Sequence, residues 1–131
     1  MTHKTYLFSL ALLLSGLLPA LAQKRSYQNL QEDWRFHLGA ATGAEQPNFD
    51  DSDWEAVRVP HDWAIGQPFE VDGDGSTGKL PWKGQGWYRR SLDIPASDSD
   101  KSHYLIFDGV MAFPKVYVNG ELAGTWDYGY N

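Results

Sequence analysis

Residues 115–124, KVYVNGELAG, constrain the fold of this chain more than any other segment. Val116 and Val118 point to one side and Tyr117 to the other, which is the period-two pattern of a strand. The Asn-Gly pair that follows suits a two-residue type I′ turn, because both central positions of that turn need a positive φ. The segment therefore predicts a β-hairpin, which has to belong to a sheet built elsewhere in the chain.

The rest of the chain after residue 22 also indicates β structure. Helical periodicity is absent, and five or six short apolar or alternating segments are separated by turn-forming residues. Aromatic residues make up 15% of the chain, with 13 Gly and 7 Pro, as in β-sandwiches. We predict an all-β fold, a jelly-roll β-sandwich. The strand segments are WRFHLG (34–39, with Trp34, Phe36 and Leu38 on one face), EAVRV (55–59), WYRRSLDIP (87–95, with Leu92 and Ile94 inward), HYLIFDG (103–109, a central strand) and the hairpin.

The first 22 residues are typical of a secretory signal peptide. A short basic start is followed by the apolar run YLFSLALLLSGLL, then Pro19 and the small-residue pattern Ala-Leu-Ala ending at Ala22. The rival interpretation is a transmembrane anchor, but the apolar run is shorter than the roughly 20 residues that span a bilayer. We expect cleavage after Ala22, so residues 1–22 form the signal peptide and residues 23–131 the folded domain.

The net charge and the absence of cysteine restrict the expected binding partners and the expected cellular location of the domain. The formal net charge is −6, and an acidic surface repels phosphate backbones, so nucleic acid is not an expected partner. The chain has no Cys, which excludes both disulfides and lipid attachment at the signal junction. We expect a periplasmic or secreted protein without a membrane partner after cleavage.

Two loop motifs resemble ligand sites but lack the rest of the pattern. GDGSTG, residues 73–78, matches the glycine spacing of a dinucleotide loop, yet Pro81 opposes the helix that such a site needs. DGDG, residues 72–75, suggests calcium, but the sixth and twelfth positions of an EF-hand loop would be Thr77 and Lys83. A flexible loop is the favoured interpretation, and a loose surface calcium site stays open.

His61 and Asp62 form the one pair that could suggest a catalytic dyad. Adjacent residues seldom face each other, and no nucleophile elbow accompanies them. We expect His61 to hydrogen-bond backbone at a strand end and Asp62 to cap the turn before Trp63.

Among the aromatic residues, Trp54 is expected to enter the core. The remaining aromatic side chains in loops either stack on sugar rings or pack in the core and against the loops.

Four segments, taken together and in order, resemble one family. They are similar to the N-terminal sugar-binding domain of family 2 glycoside hydrolases, which include β-galactosidases, β-glucuronidases and β-mannosidases, and the resemblance as a whole covers about residues 28–131. Pro-His-Asp-Trp and Phe-Asp-Gly-Val favour the β-galactosidase branch. The segments are FDDSDWEAVRVPHDWAIG (49–66), GQGWYRRSLDIP (84–95), LIFDGVMAFPKVYVNGELAG (105–124) and YGYN (128–131).

The resemblance implies a jelly-roll domain of the galactose-binding type that packs against a catalytic (β/α)₈ barrel. That barrel carries two glutamates, the acid/base and the nucleophile of a retaining mechanism, and neither glutamate's motif occurs here, so we expect no catalytic residue in this chain. Loops of the domain wall the sugar pocket in the family. The matching substrate-binding residues here are Lys83, Trp87, Asp127 and Tyr128.

The partners expected from the resemblance are a β-glycoside or oligosaccharide substrate and the catalytic barrel of the same full-length chain. No cofactor is expected in this chain, and a divalent cation stays open for the full enzyme. The family domain continues past YGYN into further sheet, so we interpret the chain as a truncated, partial domain. Two alternatives remain open: a free-standing carbohydrate-binding module, and a structural β-sandwich without a ligand.

Overall fold

The computed structural model describes residues 25–78 and 82–127. Five strands and two short 3₁₀ turns, Gly75–Thr77 and Ala96–Asp98, make up the regular structure of these ranges, which contain no α-helix. The described residues also hold no helix long and apolar enough to cross a membrane. The predicted signal peptide, residues 1–22, lies outside these ranges and stays a prediction. The strands are β1 (Trp34–Leu38), β2 (Glu55–Val57), β3 (Gly86–Arg89), β4 (Lys115–Val118) and β5 (Glu121–Thr125).

The strands form two antiparallel sheets. The first has the order β2-β1-β3, so the first strand lies at its centre, with Phe36 opposite Glu55 on one side and Tyr88 on the other. The second is the β4-β5 hairpin. Asn119 has φ +52° and Gly120 has φ +90°, so the predicted turn is confirmed. The all-β prediction is therefore confirmed, whereas the jelly-roll order of strands stays a prediction.

A small apolar core lies against the first sheet. Phe36, Ala44 and Trp54 are the buried apolar residues of the described ranges. Phe36 faces inward as the alternation of β1 predicts, and Trp54 enters the core as expected. Trp54 packs edge-on against Phe49 at 5.4 Å between ring centroids and stacks on His37 at 5.1 Å. The core is therefore built mainly from aromatic rings.

The prediction of a central strand at residues 103–109 is wrong. The structure assigns no strand to this segment, and its apolar side chains are exposed, Tyr104 at 83% and Ile106 at 72%. An apolar run becomes a central strand only when neighbours pair with its backbone and cover its side chains. Neither sheet of the described part of the chain extends beside it.

Two other strands are shorter than predicted. β3 ends at Arg89, and Leu92 and Ile94 are 39% and 45% exposed rather than inward. β2 ends at Val57, and the backbone N–H of Val59 donates instead to the carbonyl of Gln31 at 2.9 Å. The polar segment before β1 thus takes up the pairing where the strand would have continued.

A side-chain contact joins the two sheets. The rings of Trp87 on β3 and Tyr117 on β4 stack at 6.0 Å between centroids, with 27° between their planes. At the tip of the hairpin, a methyl group on Gly120 would lie 3.1 Å from Oε1 of Gln46, so the turn sits close to the loop between β1 and β2. These contacts set the hairpin against the first sheet.

Candidate functional site

The start of β3 carries the first of the predicted binding residues. β3 begins at Gly86. A side chain at this position would clash with the core, because its Cβ would lie 2.9 Å from Cε2 of Phe36. Trp87 follows with its side chain half-buried and stacked on Tyr117. Its indole N–H is buried and has no hydrogen-bond partner among the described residues. The packing of Trp87 therefore connects the predicted site to the hairpin.

Lys83 and Asp127 are both exposed and lie in loops. Lys83 precedes β3 and Asp127 follows β5. In the part of the chain that the structure describes, no hydrogen bond or ion pair joins Lys83, Trp87 and Asp127 to one another. The fourth predicted residue, Tyr128, lies outside the described residues. Substrate binding by these four residues stays a prediction.

The loop between β2 and β3 is organised by local hydrogen bonds. Asp74 accepts hydrogen bonds from the hydroxyl of Ser76 at 2.6 Å and from its N–H at 2.9 Å, and these two bonds hold the pKa of the Asp74 carboxyl below its usual value. Further along, the indole N–H of Trp82 donates to the carbonyl of Pro68 at 2.9 Å. Within residues 25–78 and 82–127, no group of three or more His, Asp or Glu side chains is placed to hold a metal ion.

The interpretation of His61 and Asp62 as turn-forming residues is right for Asp62 and needs correction for His61. Oδ1 of Asp62 accepts the N–H of Ala64 at 3.0 Å, so Asp62 caps the turn as predicted. Nδ1 of His61 lies 3.0 Å from the hydroxyl of Tyr88 rather than bonding to backbone. The sequence does not reveal this partner because it lies 27 residues away on another strand.

Tyr88 of β3 supplies the hydroxyl that contacts His61. Burial raises its pKa above the ordinary value, and the negative charges of Asp62 and Glu55 raise it further. The group therefore stays protonated at neutral pH, and its hydroxyl also donates to the carbonyl of His61 at 3.4 Å. Tyr88 consequently contacts His61 at both its imidazole and its backbone carbonyl.

Arg89 is a structural residue that sequence reasoning missed. Its Nε donates to Oδ2 of Asp51 at 2.9 Å, and one terminal nitrogen donates to the carbonyls of Ala44 and Gln46. The guanidinium also lies 5.3 Å from the ring centroid of Phe49. Because Asp51 is 38 residues away, no local pattern indicates this pairing. Arg89 holds the loop between β1 and β2 against β3.

A groove of about 490 Å³ opens beside β1. One wall is the end of β1, another is the segment that enters β2, and the third is the turn after Pro60. Its lining combines aromatic rings, imidazoles and carboxylates; the residues are Phe36, His37, Leu38, Asp53, Trp54, Glu55, His61, Asp62, Trp63, Gly66 and Gln67. None of the predicted binding residues Lys83, Trp87 and Asp127 is among them.

Comparison with known proteins identifies the setting of this site. A β-galactosidase of Bacteroides ovatus is 40% identical over 113 residues, which are 85% of this chain and 13% of that protein. A protein of Formosa agariphila described as a β-glucuronidase is 33% identical over 122 residues, 92% of this chain and 12% of that protein.

Solved structures agree with the sequence relatives. A family 2 glycosyl hydrolase of Bacteroides cellulosilyticus superposes with a TM-score of 0.65 and 32% identity over 79% of this chain and 14% of that one. A β-glycosidase of Bacteroides vulgatus gives a TM-score of 0.64 with 34% identity over 78% of this chain. The chain is a partial domain of the family 2 glycoside hydrolases. No family model matches it.

The family 2 domain spans about an eighth of the length of the curated relatives it matches. A β-glucuronidase of Bacteroides uniformis, covalently bound to cyclophellitol-6-carboxylate aziridine, also superposes, with a TM-score of 0.67 and 29% identity over 82% of this chain. These neighbours are consistent with the all-β sandwich predicted from the sequence and confirm the family resemblance. The sequence relatives include both β-galactosidases and β-glucuronidases.

Proposed function

We propose that this domain is the N-terminal sugar-binding part of an exported family 2 glycoside hydrolase that acts as a β-galactosidase. The full-length enzyme hydrolyses O-glycosyl bonds by a retaining mechanism, with both catalytic glutamates in a barrel outside the described residues. The observation that carries the proposal is the 40% identity with the β-galactosidase of Bacteroides ovatus across 85% of this chain. The domain positions substrate and cuts no bond.

The proposed contacts to the sugar come from the loops on either side of β3 and the hairpin. Lys83 is exposed and forms no ion pair among the described residues, so its ammonium group is available to a sugar hydroxyl. Asp127 is exposed as well, and its carboxylate accepts hydroxyl hydrogens. Trp87 links β3 to the hairpin through its stack on Tyr117. Tyr128 completes the proposed set.

A free-standing carbohydrate-binding module is the second candidate. It is favoured by indole rings that remain accessible in loops, since Trp82 is 40% and Trp126 is 50% exposed. Exposed indoles offer flat apolar faces to sugar rings. Such a module would bind an oligosaccharide without a catalytic barrel.

Kinetics of the full-length polypeptide test the first candidate. Hydrolysis of nitrophenyl β-galactoside, β-glucuronide and β-mannoside is compared, and we expect the β-galactoside to be preferred. Lys83→Ala removes one charged hydrogen bond, so KM should rise roughly tenfold. The matched control is Lys101→Ala, whose ammonium pairs with Asp98 on an exposed turn.

The outcomes separate the two candidates. Absence of hydrolysis by the full-length polypeptide, together with calorimetric binding of an oligosaccharide by residues 23–131, supports the binding module. Equal KM changes in the two lysine variants would show that Lys83 does not contact the substrate. Sequencing the N-terminus of the exported protein tests the signal peptide, because cleavage after Ala22 leaves Gln23 first.

A further inference from the structure

The floor of the groove beside β1 is formed by aromatic side chains that contact one another. Phe36 and Trp54 are 5% and 7% exposed. The Trp54 ring is held between Phe49 and His37, and His61 is held by an edge contact to Phe36 at 4.8 Å and by the Tyr88 hydroxyl. A floor fixed by these contacts does not have to be ordered when a ligand binds, which lowers the entropic cost of binding.

The rim of the groove offers hydrogen-bond acceptors. Asp53 and Glu55 are exposed, and the carboxylate of neither forms a hydrogen bond or ion pair with another described residue. Asp62 also lines the groove, and of its two carboxylate oxygens Oδ1 accepts the N–H of Ala64. These carboxylates are acceptors only, so a ligand that suits them must supply donors.

Trp63 supplies an apolar surface at the same rim. Its side chain is half-buried, lines the groove and packs on no aromatic ring in the described ranges. By contrast, the indole of Trp54 in the floor is already stacked on His37 and contacted edge-on by Phe49. Trp63 is therefore the indole of this groove with a ring face left for a ligand, and the amide of Gln67 lies on the same turn.

Volume and charge together define the class of ligand. About 490 Å³ is within the size range of small-molecule sites, which combine apolar walls with a few polar groups. A pyranose ring presents C–H groups to an indole and hydroxyl donors to carboxylates. A uronate or phosphate would meet the repulsion of three carboxylates. The combination fits a neutral, hydroxyl-rich ring.

We propose that this groove is a binding site for a neutral pyranoside unit of an oligosaccharide, separate from the pocket that Lys83 and Asp127 are proposed to wall. The site binds and does no chemistry. It would hold a distant part of a polymeric substrate on the enzyme. The proposal goes beyond the proposed function, since it concerns residues with no part in the catalytic pocket.

Affinity electrophoresis of the full-length polypeptide tests this site. The protein is run through native gels that contain a neutral β-galactan, and parallel gels contain polygalacturonate. We expect retardation in the galactan gel and none in the polyuronate gel. Trp63→Ala should raise the apparent dissociation constant for galactan at least tenfold, and the matched control Tyr27→Ala, an 80% exposed ring outside the groove, should leave it unchanged.

A second variant guards against loss of folding. Asp53 and Glu55 are exposed, so Asp53→Asn combined with Glu55→Gln keeps the fold while removing both charges. Circular dichroism and the thermal midpoint check each variant. We expect the double variant to weaken galactan retardation severalfold.

The failure of this proposal differs from the failure of the proposed function. Hydrolysis of aryl glycosides by the wild-type protein decides the proposed function. Retardation by galactan that survives both groove variants overturns the groove, whatever the hydrolysis assay shows. Absence of retardation in the wild type, or stronger retardation by polyuronate than by galactan, overturns it equally.

Discussion

Replacing Arg89 should destabilise the domain far more than replacing another arginine that also forms a salt bridge. The side chains of Arg89 and Asp51 are 17% and 30% exposed, and their Nε–Oδ2 distance is 2.9 Å. Arg58 and Glu32 form a pair of similar type at 64% exposure each. The two ion pairs therefore differ in how far water screens their charges, and Arg89 in addition donates to the carbonyls of Ala44 and Gln46.

The expected magnitude follows from what Arg89→Ala leaves behind. The carboxylate of Asp51 loses its counter-ion, and the carbonyls of Ala44 and Gln46 lose a donor. Breaking a fully buried pair costs about 3–5 kcal/mol, and partial exposure reduces this, so we expect a loss of about 2–3 kcal/mol. Arg58→Ala should cost about 0.5 kcal/mol or less.

Urea unfolding followed by tryptophan fluorescence measures both variants. Trimethylamine N-oxide can be added to secure a folded baseline, because it strengthens burial by exclusion from the protein surface. An unchanged m-value with a lower midpoint would show a loss of stability rather than a changed denatured state. Arg89→Lys keeps the positive charge but loses the planar guanidinium group. Its free energy of unfolding should therefore lie between those of the wild type and Arg89→Ala. Equal free-energy losses in Arg89→Ala and Arg58→Ala would refute the reasoning.

Three further predictions concern backbone space and ionisation. Gly86→Ala should cost about 1–3 kcal/mol by urea unfolding, because its Cβ would lie 2.9 Å from Phe36; a cost below the error of the assay would contradict this. Gly120→Ala forces a side chain onto φ +90° and should cost about 1–2 kcal/mol, whereas Gly124→Ala, with nothing within 4 Å, should be far milder. The raised pKa of Tyr88 means that the folded state holds its proton more tightly than the unfolded state. Its contribution is therefore complete below the ordinary pKa of 10.0 and is lost as pH rises through the folded value. Tyr88→Phe should flatten the fall in stability above pH 10, and an unchanged slope would argue against it.

Local sequence determined the turns of this domain. Positive φ at Asn119 and Gly120 follows from the residue types alone, as does the capping of a backbone N–H by Asp50, Asp62 and Asp74 two residues ahead. Such interactions join neighbours in the chain, so they are formed whatever the rest of the protein does. The alternation in β1 likewise identified its buried centre.

Tertiary structure decided the pairings that span many residues. The dense apolar run at residues 103–109 predicted a central strand that the structure lacks. Such a run shows that its side chains can be buried, but it does not specify which neighbours cover them. His61 finds Tyr88, and Arg89 finds Asp51, through the register of β3 against β1, which no short segment encodes. The groove has the same origin, since its walls come from three separate segments. Local sequence thus specifies the turns and caps that neighbouring residues form. Which distant side chains come into contact is determined only when the sheets pack.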